Sequence, residues 1–247
     1  MDTHRGMQNT PSGVLYSFYS LQKFEKQYLS IMRKLTVLLA FVMVLLIQSC
    51  SKDDGPTFKE SSIYETDFSK DDGRFWLGIL NGAKIDIQEG YYYFTNSDKS
   101  GIYFSSLKPL FESPAKNAAI ETRISITGLS KNNPGAGGLV WGLKTSDNSQ
   151  YRFQLNGFGK FLIYGVTGDE EIIYYQDWTR HDAIKYGSGV MNTIRMELRS
   201  EKLYFYVNGT EVFNMDQVNN GIIDNLGYCS SYETTLKADY FKVYKLD

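Results

Sequence analysis

Short runs of strict apolar–polar alternation, each closed by a turn signal, recur along this chain from Ile63 to its last residues. Period two sends successive side chains to opposite faces of an extended strand, so each run has one buried and one wet face. In residues 118–127, Ile120, Thr122, Ile124 and Ile126 oppose Glu121, Arg123 and Ser125. In 151–156, Tyr151, Phe153 and Leu155 oppose Arg152, Gln154 and Asn156. In 193–199, Ile194, Met196 and Leu198 oppose Arg195, Glu197 and Arg199. In 203–207, Leu203, Phe205 and Val207 oppose Tyr204 and Tyr206. Further strand patterns cover 63–68, 83–88, 91–95, 102–106, 138–144, 160–166, 171–175, 226–230 and 236–246. Asn-Gly pairs at 81–82, 156–157 and 208–209 mark tight hairpins, because both residues tolerate the positive φ of a type I′ turn. No stretch keeps a 3.6-residue period beyond a turn or two, and only 108–112 looks helix-like. Abundant Tyr (19) and Phe (15) beside scarce Pro (5) suit strands. About a dozen half-buried strands predict an all-β fold, two antiparallel sheets packed face to face as a β-sandwich.

Upstream of the strands lies a different kind of segment. Arg33 and Lys34 precede an uncharged apolar run from Leu35 to Ile47, closed by Gln48, Ser49 and Cys50. A basic start, a short apolar run and a small residue before a cut describe a secretory signal. Spanning a bilayer takes about 20 apolar residues, more than this run has, so a transmembrane helix is the weaker alternative. The cysteine at the cut resembles a bacterial lipobox, in which the chain is cleaved just before a diacylated thiol. Two acyl chains anchor a protein stably, whereas one is marginal. Ser51-Lys52-Asp53-Asp54 resembles the surface-export signal of lipoproteins in one group of Gram-negative bacteria; the alternative is a solvated charged linker. These features predict lipidation at Cys50, a membrane held through that lipid, and a surface-exposed place on a bacterial outer membrane. The organisation expected is an over-extended, disordered stretch at 1–31, a signal at 32–49, a lipidated tether at 50–62 and a β-sandwich domain at 63–247.

Charge and cysteine content narrow the chemistry. The formal net charge is −2 and no basic stripe exists, so nucleic acid is not an expected partner. With Cys50 acylated, Cys229 has no disulfide partner and is expected to be a buried, inert thiol. His181 and Asp182, near Asp177, offer either a general base with its carboxylate or a polar loop. No Ser nucleophile motif is present, and one His in the domain cannot build a His-rich metal site. No cofactor is expected, although a calcium site drawing on Asp147, Asp169 or Asp224 stays open. A glucanase motif Glu-x-Asp-x-x-Glu is approached only by residues 84–89, where Lys84 replaces the first carboxylate; Lys84, Asp86 and Gln88 read as a wet strand face.

Binding of carbohydrate is the better-supported expectation. Sugars are held by aromatic faces and by planar polar side chains, and the wet faces supply Arg152, Gln154, Arg195 and Tyr204. Trp178, expected in a loop over 176–190, adds either a stacking platform or a plug on the sandwich. Trp141, alternating with Leu139 and Leu143, and Trp76 are expected in the core.

The order Gly137-Gly138-Leu139-Val140-Trp141-Gly142, Tyr151-Arg152-Phe153-Gln154-Leu155, Gly159-Lys160-Phe161 and Asp177-Trp178 continues with Ala183-Ile184 and Asn192-Thr193-Ile194-Arg195-Met196. It then runs through residues 203–209 to Asp239-Tyr240-Phe241-Lys242-Val243. This order resembles the concanavalin A-like, laminin-G-like jelly roll, in particular its branch with 3-keto-disaccharide hydrolase-type domains. The resemblance implies a jelly-roll sandwich over about Phe68 to Leu246, and it leaves three functions open because the fold hosts several. These are lectin-like glycan binding, glycan hydrolysis with Asp177, Asp182, Glu121 or Glu197 as carboxylates, and a protein-binding role in a surface complex.

Overall fold

The computed structural model describes residues 58–107, 110, 117–144, 146–218 and 225–247. The signal, Cys50 and the start of the tether, most of the helix-like 108–112, and Asp224 lie outside the described residues. The strands are β1 (Glu60–Thr66), β2 (Gly78–Leu80), β3 (Ala83–Gln88), β4 (Tyr91–Asn96), β5 (Tyr103–Ser106), β6 (Ala118–Gly128), β7 (Ala136–Trp141) and β8 (Gln150–Asn156). They continue as β9 (Lys160–Val166), β10 (Ile172–Arg180), β11 (Asn192–Arg199), β12 (Lys202–Val207), β13 (Thr210–Asp216), β14 (Gly227–Ser230) and β15 (Thr234–Leu246). All pair antiparallel.

Two sheets result. The larger runs β13-β12-β11-β6-β15-β4-β3-β2, and the smaller runs β10-β9-β8-β7-β14-β5. β15 organises the larger sheet. One of its edges pairs with β6 from Thr234 to Lys245. Its other edge takes β4 opposite Thr234–Ala238 and β1 opposite residues 241–246.

The alternation places the core as expected. Ile120, Ile124, Ile194, Met196, Phe205 and Val207 from the larger sheet are fully buried, as are Leu139, Trp141, Phe153 and Phe161 from the smaller. Phe205 joins the layers, its ring edge-on to Phe153 at 5.2 Å and tilted against Trp141 at 5.7 Å. Such offset aromatic pairs are favoured over face-to-face stacking. The one polar inward residue of β6, Thr122, shares a 2.7 Å hydrogen bond with the Tyr228 hydroxyl and donates to the Tyr240 carbonyl.

Several expectations are revised. Asn81-Gly82 and Asn208-Gly209 have positive φ at both residues and close hairpins as type I′ turns require. Asn156-Gly157 does not. There Gly159 carries the positive φ, and the Asn156 side chain accepts from the N–H groups of Phe158 and Lys160, holding a longer turn. The short exposed strand β2 and the half-exposed edge strand β13 have no strong apolar period and were not anticipated. Trp76 is 48% exposed rather than core: Phe75 takes the inward position, and the Trp76 indole lies over Gly78, where a Cβ would meet it at 2.8 Å.

Candidate functional site

β10 is the largest revision, because it carries Trp178 on a strand rather than in a loop. The expected strand stops at Tyr175, but β10 runs to Arg180 through register shifts between Tyr174 and Gln176 and between Gln176 and Thr179. Extra residues at bulges break strict alternation, which hides the strand from a period-two search. The second shift sets Asp177 and Trp178 together opposite Leu162, and the Asp177 carboxylate accepts from the Trp178 N–H at 2.6 Å.

Trp178 then faces an open cleft of about 310 Å³ on the outer side of the smaller sheet. Its floor comes from the outward positions of β8 and β9: Gln154, Asn156, Leu162 and Tyr164. Tyr174 from β10 is 59% exposed and tilted against Tyr164 at 6.0 Å. Tyr232, 47% exposed, stands on the loop between β14 and β15. Asn133 pins that wall, donating to the carbonyls of Tyr232 and Glu233 and accepting from Gly135 N–H. The cleft thus combines three aromatic side chains with a floor of amide and phenol groups.

The floor is only partly satisfied within the protein. Gln154 Nε2 contacts Cys229 Sγ at 3.4 Å, and its carbonyl oxygen has no partner among the described residues. Asn156 uses its oxygen in the turn, leaving its amide N–H groups. Gly138, opposite Gln154 and Cys229 in the sheet, leaves no room for a side chain: a Cβ would fall 2.0 Å from the Phe153 carbonyl. Cys229 is fully buried, and burial pushes its thiol above the usual range, as expected of an inert thiol. Arg152 lies next along β8, donating from Nε to Gln150 at 3.0 Å and from Nη1 to the Tyr164 hydroxyl at 2.8 Å. Its guanidinium also sits 5.4 Å from the Tyr164 ring centroid. Burial pushes the Tyr164 phenol up to about 12, with the Arg152 charge opposing.

Of the expected site residues, Gln154 and Trp178 therefore both line the cleft, and Arg152 lies buried behind Tyr164 rather than in its lining. Arg195 and Tyr204 do not join them, because β11 and β12 belong to the larger sheet. Arg195 instead ties three strands on that sheet's outer face. It reaches Glu197 at 2.6 Å, Glu121 at 3.2 Å and Glu60 at 2.5 Å. Glu197 also pairs with Arg199, whose guanidinium lies 5.3 Å from the Tyr204 ring centroid. Two of the candidate catalytic carboxylates, Glu121 and Glu197, are thus held by arginine, and Asp177 and Asp182 are exposed. His181 accepts from Ala183 N–H at Nδ1, 3.1 Å, a turn-closing bond. Lys84 and Gln88 both bind Asp86 on the wet face of β3. Asp147 caps its own turn through Ser149 N–H, and these hydrogen bonds lower its pKa. Among the described residues no three His, Cys, Asp or Glu gather as a metal-binding group. Tyr164, Tyr174, Tyr232 and Asn133 were missed; Tyr164 alone carried a sequence signal, as an outward position of 160–166.

No protein-family model matches the chain, and no curated sequence does. Solved structures do. The catalytic domain of an endo-1,3-β-glucanase (laminarinase) from Thermotoga petrophila superposes with a TM-score of 0.53 at 10% identity, over 77% of this chain and 100% of that one. LamA from Zobellia galactanivorans, in complex with laminaritriose and laminaritetraose, gives 0.51 at 10% identity, over 76% and 100%. The CBM2 module of the evolved Dit protein of Lactobacillus casei phage J-1 gives 0.50 at 7% identity, over 77% and 97%. The chain is an antiparallel two-sheet β-sandwich of jelly-roll type. At such identities the likeness establishes that fold and no activity.

Proposed function

We propose that this protein is a lectin-like, non-catalytic carbohydrate-binding protein, anchored to a bacterial outer membrane by acylation of Cys50 and displayed at the cell surface. The observation that carries the reading is the outer cleft of the smaller sheet, where Trp178, Tyr174 and Tyr232 surround Gln154, Asn156 and Tyr164. Aromatic rings cover the C–H faces of a pyranose, and the unspent amide groups bond its hydroxyls. A concave, mostly apolar wall with a few convergent polar groups is the usual form of a small-ligand site. Glycan complexes among structures of the same fold lend support.

Hydrolysis is less well supported. Glycosidases of the common kind use two carboxylates flanking the bond. The six strands of the smaller sheet carry a single acidic residue, Asp177. The anchor rests on the sequence signal that ends in Cys50. The test is a glycan array probed with the full chain in detergent. Binding to one sugar class, weakened about tenfold or more by Trp178→Ala with an unchanged melting temperature, is the expected result. Unaltered glycan binding after Trp178→Ala would remove the cleft from consideration.

A further inference from the structure

Arg152 is 6% exposed and has no carboxylate partner among the described residues. Its two hydrogen-bond acceptors, Gln150 and Tyr164, are neutral. A buried cation is normally paired, because removing an ion from water is costly without a counter-charge. The two faces of this sandwich differ sharply in that respect. On the larger sheet, Arg195, Arg199 and Lys242 all pair with glutamates. On the smaller sheet, Arg152, Lys160 and Arg180 share six strands with Asp177 alone, and none of the three forms an ion pair among the described residues. The chain's formal charge is −2, so this cationic strip is local.

The strip adjoins the cleft. Arg152 is the neighbour of Gln154 on the outward face of β8, and its bond to the Tyr164 hydroxyl fixes the guanidinium behind a cleft-lining ring. Lys160 and Arg180 stand opposite each other in β9 and β10, beside Asn156 and Trp178 respectively. Resting on the glycan-binding reading, we propose that the cleft takes acidic glycans, with the cleft-lining Tyr164 hydroxyl, held by Arg152, donating to the carboxylate of a uronic acid residue. The carboxylate supplies the anion this face lacks. Arg152 donates to the Tyr164 hydroxyl oxygen, so that hydroxyl keeps its own proton for the carboxylate, and the unpaired guanidinium charge behind it strengthens the bond. Gln154 and Asn156 then bond the ring hydroxyls beside it. Lys160 and Arg180 extend the attraction along the strand edge and speed encounter at low salt.

The experiment uses the full chain in detergent and calorimetry with a uronic-acid tetrasaccharide, its carboxyl-reduced neutral counterpart, and a panel of neutral oligosaccharides. The acidic tetrasaccharide should bind about ten- to a hundredfold more tightly than the reduced one, the range of a charge-assisted pair. Arg152→Gln should bring the two to equal affinity, and Arg152→Lys should keep part of the preference. Tyr164→Phe, which removes the hydroxyl between the guanidinium and the cleft and leaves the charge in place, should reduce the preference even if Arg152→Gln fails to fold. Trp178→Ala should weaken both ligands alike. Equal binding of the acidic and reduced sugars, or binding to neutral sugars alone, overturns the acidic preference and leaves glycan binding standing. Absence of binding to every sugar overturns both.

Discussion

Arg195 separates a structural arginine from a binding one. Its side chain is 14% exposed and bridges Glu60, Glu121 and Glu197, whose side chains are 45%, 24% and 7% exposed. Arg195→Gln keeps much of the side-chain length and deletes the charge. Three carboxylates are then left converging on one neutral amide. Removing one partner of a buried ion pair costs about 3–5 kcal/mol. Here the loss is smaller, because Glu197 keeps Arg199 and Glu121 keeps the Tyr240 hydroxyl at 2.9 Å. The Glu60 contact, half in water, adds about 0–1 kcal/mol. A net destabilisation of about 2–3 kcal/mol follows, a fall in melting temperature of roughly 5–10 °C for a domain of this size. Adding Glu197→Gln should cost less than the sum of the two single changes, because the pair is already broken. Circular dichroism melts of the four proteins give the cycle, and titration with the best array ligand gives binding. Glycan affinity should stay unchanged. A melting temperature within about 2 °C of the parent would refute the energetic argument. Lost glycan binding in a normally stable variant would refute the assignment of the site to the smaller sheet.

Three other outcomes are expected. Burial raises the pKa of Tyr92, Tyr228 and Tyr164, the last to about 12, so folding favours their neutral form. That stability is complete below the ordinary tyrosine value of 10.0 and is lost as pH rises towards the folded-state values; Tyr164 alone contributes about 3 kcal/mol. Melting temperatures should therefore hold level up to about pH 9 and fall above 10, and an unchanged melt at pH 11.5 would count against it. Cys50→Ser should move the protein from the membrane to the soluble fraction of lysed cells, and retention in the membrane would argue against the lipid anchor. A chelator should leave glycan affinity unchanged, and a fall in affinity with EDTA would reveal a calcium site involving Asp147 or Asp169.

Which face each strand buries was legible in the sequence, because period two is a local property. Ile194, Met196 and Leu198 point inward in the structure as the alternation requires, and so do Leu203, Phe205 and Val207. Which sheet a strand joins is not local. Arg152-x-Gln154 and Arg195-x-Glu197 look alike along the chain, yet the first lies against Tyr164 and the second against Glu121 and Glu60. Pairing partners decided their roles, and those partners are distant in sequence. Trp178 was misplaced for a different reason: two bulges in β10 add residues, so the outward positions lose their spacing. The aromatic rim escaped notice because Tyr174 and Tyr232 come from different strands and loops and meet only across the fold.

β15 lies at the centre of the larger sheet although it follows every other strand in the chain. Its partners β1, β4 and β6 all precede it by long stretches of chain that hold other strands, so closing these pairings costs chain entropy before it yields contacts. A chain lacking the thirteen residues of β15 has β1 without a strand partner and β4 and β6 unjoined. The topology therefore withholds the native state until β15 is available to pair. For a protein proposed to be exported, this works as a timer: the polypeptide remains threadable until β15 arrives to close the larger sheet.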